Sequence, residues 1–211
     1  MKNGPLFFLG LFAALGISWA GLLIGTNAQL GGLAPHFDEN QDLAFPAQFP
    51  GVAEQGLRVY RDLGCASCHT QQVRRPGFGT DQERGWGERQ SVARDYIYQS
   101  QPQLGAMRIG PDLANYGSRA AEAGIGAPAL LAYLYNGHEG MPAYRMLFEQ
   151  RKLVGESSAK ALVGGAPEGY ELVPTPRAQA LVAYLLSLKQ SYELPEAMPY
   201  EPAEAAKGGS Q

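Results

Sequence analysis

Between Gly4 and Pro35 the chain carries no charged side chain, and Leu6 to Ile24 is a run of mostly Leu, Phe, Ala, Gly and Ile. At ~1.5 Å per residue a helix over those positions is roughly 28 Å long, close to the hydrocarbon thickness of a bilayer. One such span commits the chain to a membrane helix at residues 1–30 with everything folded lying on one side of it. A lone Lys2 precedes the run, and the acidic Asp38, Glu39 and Asp42 follow it. The positive-inside rule then puts the N-terminus in the cytoplasm and the rest on the outer, periplasmic face of a bacterial inner membrane. The competing reading is a cleaved signal peptide ending near Thr26-Asn27-Ala28. Its basic region would be minimal and its apolar run too long, and either way the remainder is exported.

That remainder is poor in regular structure. Gly and Pro together make up 42 of the 211 residues, and charged residues only 18%. A net charge of −3 excludes a nucleic-acid binder that relies on a basic surface. Residues 31–50 read as a linker with no sustained period, and 51–194 as one domain of mainly α character. A Pro-, Glu-, Ala- and Gly-rich tail at 195–211 is expected to be mobile. Helices are expected from Val52 to about Leu63, from Pro128 to Asn136, and from Pro176 to about Gln190. The last has Thr175 as its N-cap and Ala178, Leu181, Val182, Leu185 and Leu188 at helical spacing. No strand pattern is evident. A domain built this way needs something besides its own small core to hold it together.

The chain's only two cysteines stand in Cys65-Ala66-Ser67-Cys68-His69, the attachment signature of a c-type haem. Two thiols on one turn can each add to a vinyl group of the porphyrin, and the adjacent imidazole can then ligate the iron. A disulfide scaffold is excluded by the count. Zinc would need four ligands, but His36 and His138 are the only further Cys or His donors. A thioredoxin-like dithiol needs a strand before it and a parallel sheet around it, and the pattern offers neither. The inferred cofactor is one covalent haem c with its iron. It would also supply the rigid apolar body this domain lacks, with the helix before the motif and the C-terminal helix crossing beside it. Tyr60 and Tyr184 are then expected on the contact faces, as core aromatics.

The second axial ligand has five candidates: Met107, Met141, Met146, Met198 and His138. Met141 is favoured. It lies in Gly140-Met141-Pro142-Ala143-Tyr144, between two helices, where Pro142 restricts it to extended conformations. His138, three residues away, is the competitor.

Taken together, Cys65 to Arg74, Asp95-Tyr96-Ile97-Tyr98 with Pro102, Arg108-Ile109-Gly110-Pro111-Asp112-Leu113 and Met141-Pro142-Ala143-Tyr144 resemble the membrane-anchored mono-haem subunit of cbb3-type cytochrome c oxidase. The resemblance covers about residues 50–150. It implies a class I cytochrome c domain in which the Pro111 carbonyl accepts a bond from His69, with His69 and Met141 as iron ligands. It also implies electron transfer from a donor cytochrome c towards a haem-copper catalytic subunit, with no catalysis by this chain alone. A free-standing anchored cytochrome c, or the cytochrome subunit of another respiratory complex, is the alternative. Residues 58–108 hold eight arginines against five acids and residues 109–211 eight basic against eleven acidic side chains, a distribution suited to docking. Arg74, Arg75 and Arg108 are candidates for neutralising haem propionates or facing a partner. The stretch from Phe148 to Val173 departs from the family pattern.

Overall fold

A computed structural model describes residues 3–197. Lys2 and most of the expected tail, including Met198, lie outside the described residues. The apolar N-terminus is helical from Gly4 to Leu30: α1 (Gly4–Ala20), one π turn (Gly21–Gly25) and α2 (Thr26–Leu30). This 27-residue helix is longer than the Leu6–Ile24 run and is wholly unburied. Its side chains are apolar around the whole circumference, as a helix surrounded by lipid requires.

The globular part is organised by two crossed helices, α3 (Gly51–Asp62) and α6 (Pro176–Ser187). Ala53, Gly56, Val59 and Tyr60 are buried along one side of α3 at spacings of three and four, while Val52, at the same end, faces solvent. On α6, Ala178, Leu181, Val182, Tyr184 and Leu185 form the matching face. The backbones approach so closely that a Cβ on Gly56 would stand 1.9 Å from the Ala180 carbonyl oxygen, so only glycine fits. Beside that contact the fully buried Tyr60 and Tyr184 meet edge-on, with ring centroids 5.5 Å apart. Thr175 caps α6 as expected, accepting from the Ala178 amide at 3.3 Å, with Pro176 in the first turn.

Between these helices run α4 (Tyr116–Glu122) and α5 (Ala127–Asn136), and long irregular segments fill the rest. The absence of strands does not hold. The supposed linker carries an antiparallel pair, β1 (His36–Asp38) with β2 (Leu43–Phe45). Phe45 then stacks on Tyr192 at 4.7 Å, so this segment is fastened to the domain beside it. The departure at 148–173 is a second hairpin, β3 (Phe148–Lys152) with β4 (Tyr170–Pro174), sealed into the core by Phe148 and Leu172. The strands are short and mostly exposed on β3, so they leave almost no alternation in the sequence. The chain end also differs from expectation within its described part. Leu194 and Ala197 are buried, and the Glu196 carboxylate takes a 2.6 Å bond from Arg94.

Candidate haem-attachment site

The Cys65–Ser67 stretch is a single 3₁₀ turn at the end of α3, entered through Gly64 at φ 69°. Only glycine adopts that left-handed conformation freely, and it lets the chain leave α3 and turn at once. The Cys68 and His69 amides both donate to the Cys65 carbonyl, at 3.1 and 3.0 Å, so the motif is one compact turn. Neither thiol is in a disulfide, and both are half-buried. Burial, with the neighbouring Cys68 adding to it, pushes the Cys65 thiol up to about 11, so its proton stays on sulfur at neutral pH.

Residues 104–113 are laced to this turn. Amide bonds run from Ala106 to the Ala66 carbonyl (2.9 Å), from Gly110 to Cys68 (2.9 Å) and from Leu113 to Thr70 (2.7 Å). The lacing presents the Pro111 carbonyl to His69 Nδ1 at 2.9 Å. Nδ1 is therefore the protonated nitrogen of the neutral ring, and Nε2 is left as the donor available to a metal. Gly110 makes room for this: a Cβ there would lie 2.3 Å from His69 Cε1. Asp112, with a fully buried side chain, accepts from the Thr70 hydroxyl (2.6 Å) and from the amides of Gln72 (2.8 Å) and Ala114 (2.9 Å). Three donors fix one carboxylate and pin the residue after Pro111 to the residues after His69.

Met141 sits at the foot of a tight turn. Its amide donates to the His138 carbonyl at 2.8 Å, and Glu139 and Gly140 between them have φ 44° and 87°. Positive φ at both central residues is the mark of a type I′ turn, whose twist suits a hairpin. Met141 packs, half-buried, against the same core cluster as Cys65 and Ala66. Three residues on, Tyr144 is raised above the usual phenol range by burial and by its nearness to Cys65 and Cys68. The methionine turn and the cysteine turn thus pack on one core cluster, and Tyr144 brings the end of the methionine segment near the two thiols. The His138 ring stacks on Tyr133, centroids 3.9 Å apart, and its side chain is 44% exposed.

Arg74 and Arg108 converge on a residue that the sequence reading passed over. The side chain of Asp81, fully buried, accepts from Arg74 Nη2 (3.1 Å) and Arg108 Nη1 (2.7 Å), and also from the Arg74 amide (2.7 Å). Burial opposes its ionisation, but those bonds and the two charges outweigh it and hold the carboxyl below the usual range. Its one signal in the sequence is weak: Asp81 is the first acid after Asp62 in an arginine-rich stretch. Arg75 is separate, lying over the Phe78 ring at 3.9 Å. The Asp-Tyr-x-Tyr segment is structural. Asp95 pairs with Arg89 (2.8 Å) in the interior, and the Tyr96 hydroxyl donates to the Gln71 carbonyl at 2.7 Å. A cavity of about 430 Å³ is lined by Phe45, Phe49, Gln71 and Tyr192 among other residues.

No curated protein matches the chain. A protein family does: the one described as cytochrome c oxidase, mono-heme subunit/FixO matches residues 40–166, a stretch holding the cysteine turn, the Pro111 segment and the Met141 turn. With more than half of its length matched, the chain belongs to the FixO family, the mono-haem cytochrome c subunits of cbb3-type cytochrome c oxidase, which transfer electrons.

Proposed function

We propose that this subunit carries its electron on a single haem c bound through thioether links from Cys65 and Cys68, with His69 and Met141 as the iron ligands. The observation that carries the reading is the His69 Nδ1 to Pro111 carbonyl bond at 2.9 Å beside two unpaired thiols. The donor set fits the group. Cys65 and Cys68, two free S–H groups on one turn, would hold the group by thioether links. His69 is held in the tautomer that offers Nε2, and the bond at Nδ1 raises its basicity. Met141 offers a soft thioether on the same core cluster. The bound haem supplies a one-electron iron couple. With His69 and Met141 both holding the iron, the residues would leave oxygen no ligand position, and the chain would relay electrons rather than reduce oxygen.

On this reading residues 1–30 are the membrane anchor, with the N-terminus cytoplasmic and the haem domain at 51–194 on the periplasmic face. Residues 31–50 join the two, and 195–211 form the tail. The proposed partners are a donor cytochrome c and the haem-copper catalytic subunit. Arg74 and Arg108 act on the cofactor from their shared carboxylate. The test is attachment itself. In the full chain expressed with a haem-attachment system, colour should stay with the denatured polypeptide, one haem per chain. Cys65→Ser and Cys68→Ser should each shift the alkaline pyridine spectrum towards that of a singly linked haem, and the double variant should lose the colour on denaturation. Retention of covalent haem by the double variant would overturn the assignment.

A further inference from the structure

Pro111, whose carbonyl holds His69, stands between two clamps. Below it, Asp112 fastens the chain to Thr70 and Gln72. Above it, Arg108 is fastened by Asp81 at 2.7 Å, by the Gln72 carbonyl, and by Asp112, whose carboxylate lies 3.7 Å away. Trp86 flanks the same guanidinium, its ring centroid 5.7 Å off. Asp81 reaches from a different loop and is itself held by the amide and guanidinium of Arg74. A fully buried carboxylate bonded to two arginines from separate segments costs desolvation, and removing it takes from Arg74 its carboxylate partner and leaves Arg108 only the more distant Asp112. Arg119 makes a second tie between the same segments, donating to the Trp86 carbonyl at 3.0 Å and to the Asp112 carbonyl at 2.5 Å, but Asp81 alone among the described residues joins Arg74 to Arg108.

We propose that Asp81 is a positioning residue for the electron-transfer site. Through Arg108 it holds the Pro111 carbonyl against His69 Nδ1–H and so sets the donor strength of that histidine. This rests on the reading of His69 as the iron ligand. A firm bond at Nδ1 makes the imidazole a better donor and favours the oxidised iron. Loosening Arg108 should weaken the bond and favour the reduced form.

Charge and position can be separated, because they act in opposite directions for Arg108. Loss of its positive charge alone disfavours reduction, whereas release of the Pro111 segment favours it. The experiment is a redox titration of the full-length haem-loaded subunit in detergent, with hydrogen exchange followed at the Gly110 and Leu113 amides. The variants are Asp81→Asn, Asp81→Glu and Arg108→Gln, with the exposed Arg75→Gln as a charge control. Asp81→Asn and Arg108→Gln should both raise the midpoint potential and speed exchange at Gly110 and Leu113. Asp81→Glu should restore most of both, and Arg75→Gln should lower the potential slightly and leave exchange unchanged. If Asp81→Asn does not accumulate, Arg108→Gln decides alone. A lowered potential or unchanged exchange in Arg108→Gln overturns the proposal while leaving the haem site standing. A wild-type chain without covalent haem overturns both.

Discussion

At the residue scale, the site was most legible where its chemistry is contiguous. Cys65, Cys68 and His69 are one run of sequence, and Pro111 stands in a short motif whose carbonyl does meet the histidine at 2.9 Å. Gly110 was quoted within that motif, but its reason is visible only in three dimensions: the imidazole occupies the space of its missing side chain. Gly110→Ala should push the His69 ring off the Pro111 carbonyl, since the new methyl would lie 2.3 Å from Cε1. Strain of this kind costs on the order of 1–3 kcal/mol. The expected outcome is a haem-bearing protein with a lower thermal midpoint and a weakened low-spin spectrum; wild-type values for both would refute the steric argument. The meeting of Arg74 and Arg108 on Asp81 was not legible, because nothing local to either arginine names that residue. It is seven residues from one and 27 from the other. Spacing does not separate His138 from Met141; in the fold the His138 ring stacks on Tyr133.

Among elements, α6 was readable because cap, proline and apolar spacing agreed on it, α5 from Pro128 and the stop at Gly137, and α3 from its apolar positions alone. The short α4 was not: seven residues with a glycine near the start give too little period. The hairpins were missed for a related cause, since strands of three to five residues are held by backbone pairing that any side chain permits. Phe45, Phe148 and Leu172 supply their anchorage, and each looked like an isolated apolar residue in a loop. The crossing of α3 and α6 is where element-level packing is least forgiving. Gly56→Ala sets a methyl against a carbonyl oxygen of α6, and the helices must separate to admit it. A loss of about 1–3 kcal/mol, read from the denaturant midpoint of the haem-loaded protein, is the expected size. An unchanged midpoint would mean that the two helices do not meet there.

The whole molecule is an apolar helix of 27 residues joined to a small domain whose own core is a helix pair with Tyr60 and Tyr184 at its centre. A chain rich in Gly and Pro forms a modest core, and here the described core gathers on that helix pair. What composition could not foresee is how firmly the ends are tied. The segment at 34–45 and the residues up to 197 meet the same region, through Phe45 on Tyr192 and Arg94 on both the Ala34 carbonyl and Glu196. The segment that follows the apolar helix is therefore fastened to the domain beside residues 192–197.

The central claim is that this redox centre is a haem held between His69 and Met141. It is tested most directly by the weak near-infrared charge-transfer band that a methionine-ligated ferric haem shows, recorded on the oxidised full-length protein and two variants. The band should be present in the wild type and in His138→Ala. It should vanish in Met141→His, which should stay low-spin while its midpoint potential falls by on the order of 0.1 V, within the ~0.8 V range over which axial ligands tune haem. Loss of the band in His138→Ala, with its survival in Met141→His, would contradict the assignment.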